Sequence, residues 1–311
     1  MEKLRLKKKS RLDFLGMGII PFDLLFTVDK YPDPGKKIDA QSFIMQGGGP
    51  IPNVAVGLSR LGRNSALIVT VGDDPFGQLM IEELKKEKVD TSYIIIKKES
   101  TAIAGGWIEQ GSGDRTLVLS RKIHVNPADI KLDRLPIPKI LHLDGRDMSA
   151  TMKLARWASK NKVIISFDIG SMRNDVSKVF PYVDHLVVAD AYAFPFTKTK
   201  TAEDAIQKLS AYCSGTIIVT EGIKCSTGRE KGSSDYVYQK AYKVKNVDTT
   251  GAGDCYHTGY LYGLLLNLPL KERMNYGSAA AALKCTKAGA RTGIPNKKEL
   301  NAFLKSNPKT Y

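Results

Sequence analysis

Asp248-Thr249-Thr250-Gly251-Ala252-Gly253-Asp254, followed by the apolar stretch Cys255 to Leu268, is the segment around which the chain is organised. Two threonines and two glycines ahead of a run that predicts a helix describe a tight turn whose backbone amides converge at the helix's positive end. Such a turn is an anion site. A carboxylate at its last position sets one negative charge beside another, so Asp254 calls for a chemical role. Phosphoryl transfer supplies one. The amides of Gly251, Ala252, Gly253 and Asp254 would neutralise charge on the moving group while Asp254 takes the proton of an attacking hydroxyl. The plain alternative is an Asp stabilised by a helix dipole, because glycine-rich turns before helices are common.

The 311 residues suffice for one large α/β domain or two small ones, and 42% hydrophobic with 25% charged residues fits a soluble globular protein. No apolar run approaches the roughly 20 residues that span a bilayer. The best candidate, Leu264 to Leu270, is broken by Asn267 and Pro269. A basic start, Met1 to Arg11, precedes apolar Phe14 to Ile20, but Asp13, Pro21 and Asp23 bound that core and no small-residue cleavage site follows. The expectation is a disordered basic tail over 1–11 and a first strand after it. Cys213, Cys225, Cys255 and Cys285 form no C-x-x-C pair, which argues against zinc and a disulfide framework and for a cytoplasmic protein. The net charge of +15 suits anionic small molecules or nucleic acid. Scattered basic residues without a nucleic-acid motif argue against the latter.

From Leu12 the chain alternates strand and helix. Asp23 stands where the first strand ends, the place at which α/β sheets bind ligands, or serves as a turn former. Gly47-Gly48-Gly49-Pro50 leads into a helix ended by Gly62, delivering backbone amides and Asn53 at a helix start; capping by Asn53 is the alternative. Ala66 to Val71 predicts one buried strand, and Pro75 to Lys88 an amphipathic helix. Alternating segments at Tyr93 to Lys97, Ala102 to Ile108 and Arg115 to Leu119, with turns at Gly105-Gly106 and Gly111-Ser-Gly113, are expected to join residues 24–46 in a small β-sheet lid. Strands at 140–143, 163–167, 185–188 and 216–220, with helices at 150–160 and 201–212, then imply a mainly parallel sheet covered on both sides. The predicted organisation is one domain over 12–311 with a lid from about 24–46 and 93–121.

Gly48-Gly49-x-x-x-Asn53 and Asp248-Thr-x-Gly-Ala-Gly-Asp254, in that order, resemble the two signatures of the ribokinase-like (PfkB) carbohydrate kinases. Gly72-Asp73-Asp74-x-Phe76-Gly77 resembles the family's Gly-Asp-Asp-x-x-Gly turn, and Ala279 to Thr286 with Gly289-Ala290 and Ile294-Pro295 resembles the stretch flanking its adenine pocket. The resemblance implies an α/β three-layer sandwich and an ATP- and Mg²⁺-dependent kinase. By the same carry-over Asp254 is the base. Asp23, Gly48, Gly49 and Asn53 hold the sugar. Thr220, Gly222, Lys224, Cys225, Ala282, Cys285 and Gly289 serve the nucleotide. Asp248 and Thr250 fall where relatives bind a monovalent cation such as K⁺, largely through backbone oxygens. Relatives often pair their lids as homodimers. Two departures stand out. The Asn-x-x-Glu that many relatives use to organise Mg²⁺ is replaced by Asp190-Ala-Tyr-Ala193, leaving the Mg²⁺ ligands unknown, and Thr258 is larger than the usual residue before Gly259.

Within the family the chain looks most like the ketohexokinase and sulfofructose kinase branch, through Leu141-His-Leu-Asp-Gly-Arg146 and Cys285 to Pro295. Where ketohexokinase has a lid carboxylate, this chain has Gly35-Lys36-Lys37. With Arg146, and Arg121 as a further candidate, Lys37 would favour a ketose or hexose derivative with an acidic substituent. Solvated lid lysines are the alternative. A nucleoside kinase, with Phe26, Phe43 and Trp107 as a base sandwich, is the runner-up. A non-catalytic basic protein binding nucleic acid or a partner is the reading from another class.

Overall fold

The computed structural model describes residues 12–111, 115–172 and 175–307. The segment 1–11 expected as a tail, and Gly113 of an expected turn, lie outside them. In chain order the strands are β1 (Phe14–Met17), β2 (Phe22–Val28), β3 (Ser42–Gly47), β4 (Ser65–Ile68), β5 (Thr70–Gly72), β6 (Ile95–Lys97), β7 (Ile103–Glu109), β8 (Arg115–Ser120), β9 (Ile140–Leu143), β10 (Ile164–Ile169), β11 (His185–Ala189), β12 (Thr216–Thr220), β13 (Cys225–Arg229) and β14 (Tyr236–Lys240). The helices are α1 (Pro50–Arg60), α2 (Pro75–Lys86), α3 (Met148–Lys160), α4 (Asp190–Thr197), α5 (Ala202–Leu209), α6 (Ala252–Leu265), α7 (Leu270–Cys285) and α8 (Lys297–Ser306).

Among the described residues the main sheet has the order β14-β13-β12-β11-β10-β9-β1-β4. It is parallel from β4 to β12 and antiparallel at the β13 and β14 edge. All four residues of β1 and of β9 are buried, as strands covered on both faces must be. Alternation divides them: Leu15, Met17, Leu141 and Leu143 join the core under α3, α4 and α5. Phe14 and Ile140 join the opposite core with α1, α6 and α7. The result is an α/β/α three-layer sandwich with a smaller sheet beside it. Thr258, the oversized residue, is buried where α6 meets α1, and Gly57 makes the room: a Cβ there would lie 2.5 Å from Thr258 Cγ2.

The smaller sheet runs β3-β2-β7-β8, with β2 and β7 parallel. Two expectations change here. The stretch Ala66 to Val71 is two strands, β4 in the main sheet and β5 paired with β6, so residues 95–97 do not belong to the lid sheet. Asp74, just after β5, ties that strand's end to the segment following β6: its carboxylate accepts from the backbone N of Gly77 (2.8 Å) and Thr101 (2.7 Å). Asp23 lies inside β2 rather than at the end of β1. No described helix is long and apolar enough to cross a membrane.

Candidate active site

The N-terminus of α6 sits where the sequence placed the anion turn. Gly251 caps it in the left-handed conformation (φ 79°). Its first turn leaves amides without helical acceptors, as every α-helix does. One expected donor is otherwise engaged, because Ala252 N donates to Thr249 O at 3.0 Å. The amides of Gly251, Gly253 and Asp254 have no such backbone bond and stay as the candidate anion donors.

Asn53 does not cap α1; the cap residue is Gly49, without a side-chain bond. The Asn53 side chain instead donates Nδ2 to Asp254 Oδ2 at 2.7 Å and accepts at Oδ1 from Arg291 Nε at 3.1 Å. Burial pushes the Asp254 carboxyl above its ordinary value, the nearby Asp168 charge pushes it further, and the Asn53 hydrogen bond opposes both. That is the direction a base needs to accept a proton from an alcohol.

Arg291, only 3% exposed, was not singled out by sequence. Besides Asn53 it reaches Gly48 O (3.3 Å) and Glu83 Oε1 (2.9 Å), while Glu83 Oε2 accepts from Gly47 N (2.8 Å). A lone Arg between small residues carries no periodic signal; the fold alone reveals it. Asp23, 8% exposed, is raised to about 7 by burial, with Arg291 opposing and Asp254 reinforcing. A Cβ on Gly48 would lie 2.3 Å from both Asp23 carboxylate oxygens, so only glycine lets the turn approach it. Gln46, opposite Asp23 in the β2–β3 register, has a buried Nε2 without a partner. Sequence reasoning passed it over; an unmatched buried donor beside Asp23 fits a sugar oxygen.

Beneath Asp254 lies a buried polar layer. His257, one turn further along α6, bonds Asp168 (3.0 Å), and its ring is 5.1 Å from that of His142, which meets Ser166 Oγ at 3.0 Å. Burial and the His257 neighbour pull His142 down to about 3, keeping it neutral. The i to i+3 spacing of Asp254 and His257 was a visible sign that both share one helix face.

Asp248 and Thr250 occupy a closed corner. Asp248 Oδ1 accepts from Thr250 N (2.7 Å) and Oδ2 from Gly289 N (2.7 Å). Lys284, fully buried, donates Nζ to Asp248 O (2.6 Å) and Lys287 O (3.2 Å) and lies 3.5 Å from Asp248 Oδ2. Burial draws the Lys284 ammonium below its ordinary value, and the Asp248 charge opposes.

On the other side of the α6 terminus is a cavity of about 720 Å³, within the size range of small-ligand sites. Its lining includes Thr220, Gly222, Cys225, Ala282 and Cys285 together with Ala252 and Gly253. Lys224 and Gly289 are not in that lining. Lys224 is exposed at the tip of the β12–β13 turn, and the Gly289 amide is taken by Asp248.

Three cations were expected around the sugar. Lys37 is on the exposed loop between β2 and β3, and Arg146 is exposed after β9. Arg121 is ion-paired with Asp147. Arg115 was overlooked: through Ile108 and Thr27 it falls on the Asp23 face of the lid, and its charge is felt by both Asp23 and Asp254. Phe26, Phe43 and Trp107 share the opposite face, with Phe26 stacked on Phe43 at 4.6 Å, so they do not flank Asp23 as a base sandwich would.

Residues 14–297 match the model of the pfkB family of carbohydrate kinases. The chain is similar to ribokinase of Haemophilus influenzae, 26% identical over 93% of this chain and 97% of that protein. It is similar to 5-dehydro-2-deoxygluconokinase of Bacillus licheniformis, 23% identical over 97% of this chain and 98% of that one. Among solved structures it resembles an uncharacterized sugar kinase of Pyrococcus horikoshii in complex with ATP, at a TM-score of 0.77 and 26% identity, covering 94% of this chain and 100% of the other. With the family match running nearly end to end over this fold, the chain belongs to the PfkB family of carbohydrate kinases.

Proposed function

We propose that this sugar kinase transfers the γ-phosphoryl group of ATP to a hydroxyl of a small carbohydrate bearing an acidic substituent. The observation that carries the reading is the α6 terminus, which holds Asp254 against Asn53 on the sugar side while Ala252 and Gly253 line the cavity on the other. In this reading Asp23, Asn53 and Gln46 orient the acceptor. Asp254 takes the hydroxyl proton, and the amides of Gly251, Gly253 and Asp254 stabilise charge on the phosphoryl oxygens. Closure of the lid excludes water as a competing acceptor. Mg²⁺ would accompany the nucleotide and offset the charge of its phosphates. No cluster of three His, Cys, Asp or Glu side chains that would hold a resident ion exists among the described residues.

The acidic acceptor is supported by Arg115 on the Asp23 face and by the names of relatives such as 5-dehydro-2-deoxygluconokinase. ATP as donor is supported by the Pyrococcus horikoshii kinase solved with ATP. A cytoplasmic location follows the cysteine usage. Pairing with a second copy through the lid is supported by its outer face, where Phe43, Met45 and Val118 are exposed. The test is ADP release with ribose, fructose, hexonic acids, sulfonated ketoses and adenosine as acceptors. Acidic sugars should lead, and Arg115→Gln should erase the preference. Faster turnover of neutral fructose by the unaltered enzyme removes the acidic acceptor, and faster turnover of adenosine removes the sugar.

A further inference from the structure

We infer that the Lys284 ammonium takes the place of the monovalent cation, making the enzyme potassium-independent. The resemblance assigns Asp248 and Thr250 to such an ion, but the residues present do not fit one. Oxygens of Asp248, which would coordinate it, already lie about Nζ together with a carbonyl of the next loop: Asp248 O at 2.6 Å, Lys287 O at 3.2 Å and Asp248 Oδ2 at 3.5 Å, while of the assigned pair Thr250 keeps a buried hydroxyl without a partner. An alkylammonium matches potassium in charge and closely in size. It donates hydrogen bonds to the oxygens that an ion would bind. Lys284 is fully buried, so its charge has these oxygens in place of water.

The location gives the charge a task. Lys284 joins Asp248, which orders the turn into Gly251, to the 287–289 loop. Holding both loops fixes the direction of the amides that begin at Gly251. A mobile ion does this only when bound; a lysine at the end of α7 does it permanently. Lys284 is thus a positioning residue, two peptide units removed from the anion site.

The inference rests on the kinase reading for its turnover arm alone, because thermal unfolding and ion binding require no sugar. For the unaltered protein, turnover and Tm should be equal in potassium and choline chloride at matched ionic strength, and thallium(I) should not bind. Lys284→Ala should lose turnover on the order of 100-fold in choline, as when an oxyanion donor is removed. Potassium or methylammonium should restore both turnover and Tm, with potassium more effective than sodium. Activation of the unaltered enzyme by potassium, or thallium(I) binding at this corner, overturns the inference. So does a folded Lys284→Ala protein that either needs no cation or is rescued by none. Should Lys284→Ala not fold, the unaltered protein's response to potassium and thallium(I) decides the matter.

Discussion

Asn53 and Asp254 lie 201 positions apart in the chain and meet through a 2.7 Å hydrogen bond from the amide to the carboxylate. The bond orients one carboxylate oxygen; in the proposed mechanism the other receives the proton of the acceptor hydroxyl. Asp254→Asn keeps the fold, because the new side chain still accepts from Asn53. Its kcat should fall by roughly 10²–10⁴-fold, the usual worth of a positioned base, with nucleotide Kd unchanged. Single-turnover ADP release together with a nucleotide titration measures both.

Arg291→Met tests the residue that sequence overlooked. It strips a cation from Glu83 and Asp23 and a donor from Asn53. Removing one partner of a buried pair typically costs about 3–5 kcal/mol, so the variant should unfold at markedly lower denaturant. Where it remains folded, KM for the sugar should rise while nucleotide affinity holds. An unchanged sugar KM would show Arg291 to be purely structural.

Asp23 gives the protein a pH signature. Its carboxyl is raised from 3.8 to about 7, so between those values the folded state holds a proton that the unfolded chain releases. The contribution to stability is therefore fully present below about pH 4 and is lost as pH rises through 7. Comparing Tm of the unaltered protein and Asp23→Asn across pH 4 to 8 isolates it: the variant should lack that downward slope. In activity the dependence runs the other way, since the ionised carboxylate is the better acceptor for sugar hydroxyls. The sugar-dependent kcat/KM should rise through neutral pH, and Asp23→Asn should abolish that rise.

Gly57 and Thr258 form a pair whose sizes must sum. Gly57→Ala alone places its Cβ 2.5 Å from Thr258 Cγ2 and should cost about 1–3 kcal/mol through overpacking. Thr258→Ala in the same chain should return most of it. A double-mutant cycle by chemical denaturation reads the coupling, and strictly additive losses would contradict the contact.

The parallel sheet was legible because its strands are buried on both faces and read as short apolar runs between helices. Asp254 and the glycines were legible because an anion turn needs particular residues in a row. The break between β4 and β5 was not, since Ala66 to Val71 is apolar but for Thr70 and only the partners, β1 for β4 and β6 for β5, separate the two strands. β13, Cys225-Ser-Thr-Gly-Arg229, lacks an apolar period and is a strand because β12 and β14 pair with it on both sides. α8 carried its own signal in the Asn296 and Glu299 capping box, which the sequence reading passed over. Lys37 came from comparison with a lid carboxylate and Arg146 from a resembling stretch; the pairing of Arg121 with Asp147 was not legible, because charge alone does not say which carboxylate a side chain meets. Arg115 needed the strand register before its face was known.

Arg291 fastens a late segment of the chain to Gly48 and Asn53, 243 and 238 positions before it. During synthesis the sugar-side residues therefore emerge long before the guanidinium that arranges them, so a growing chain on the ribosome has no finished sugar side.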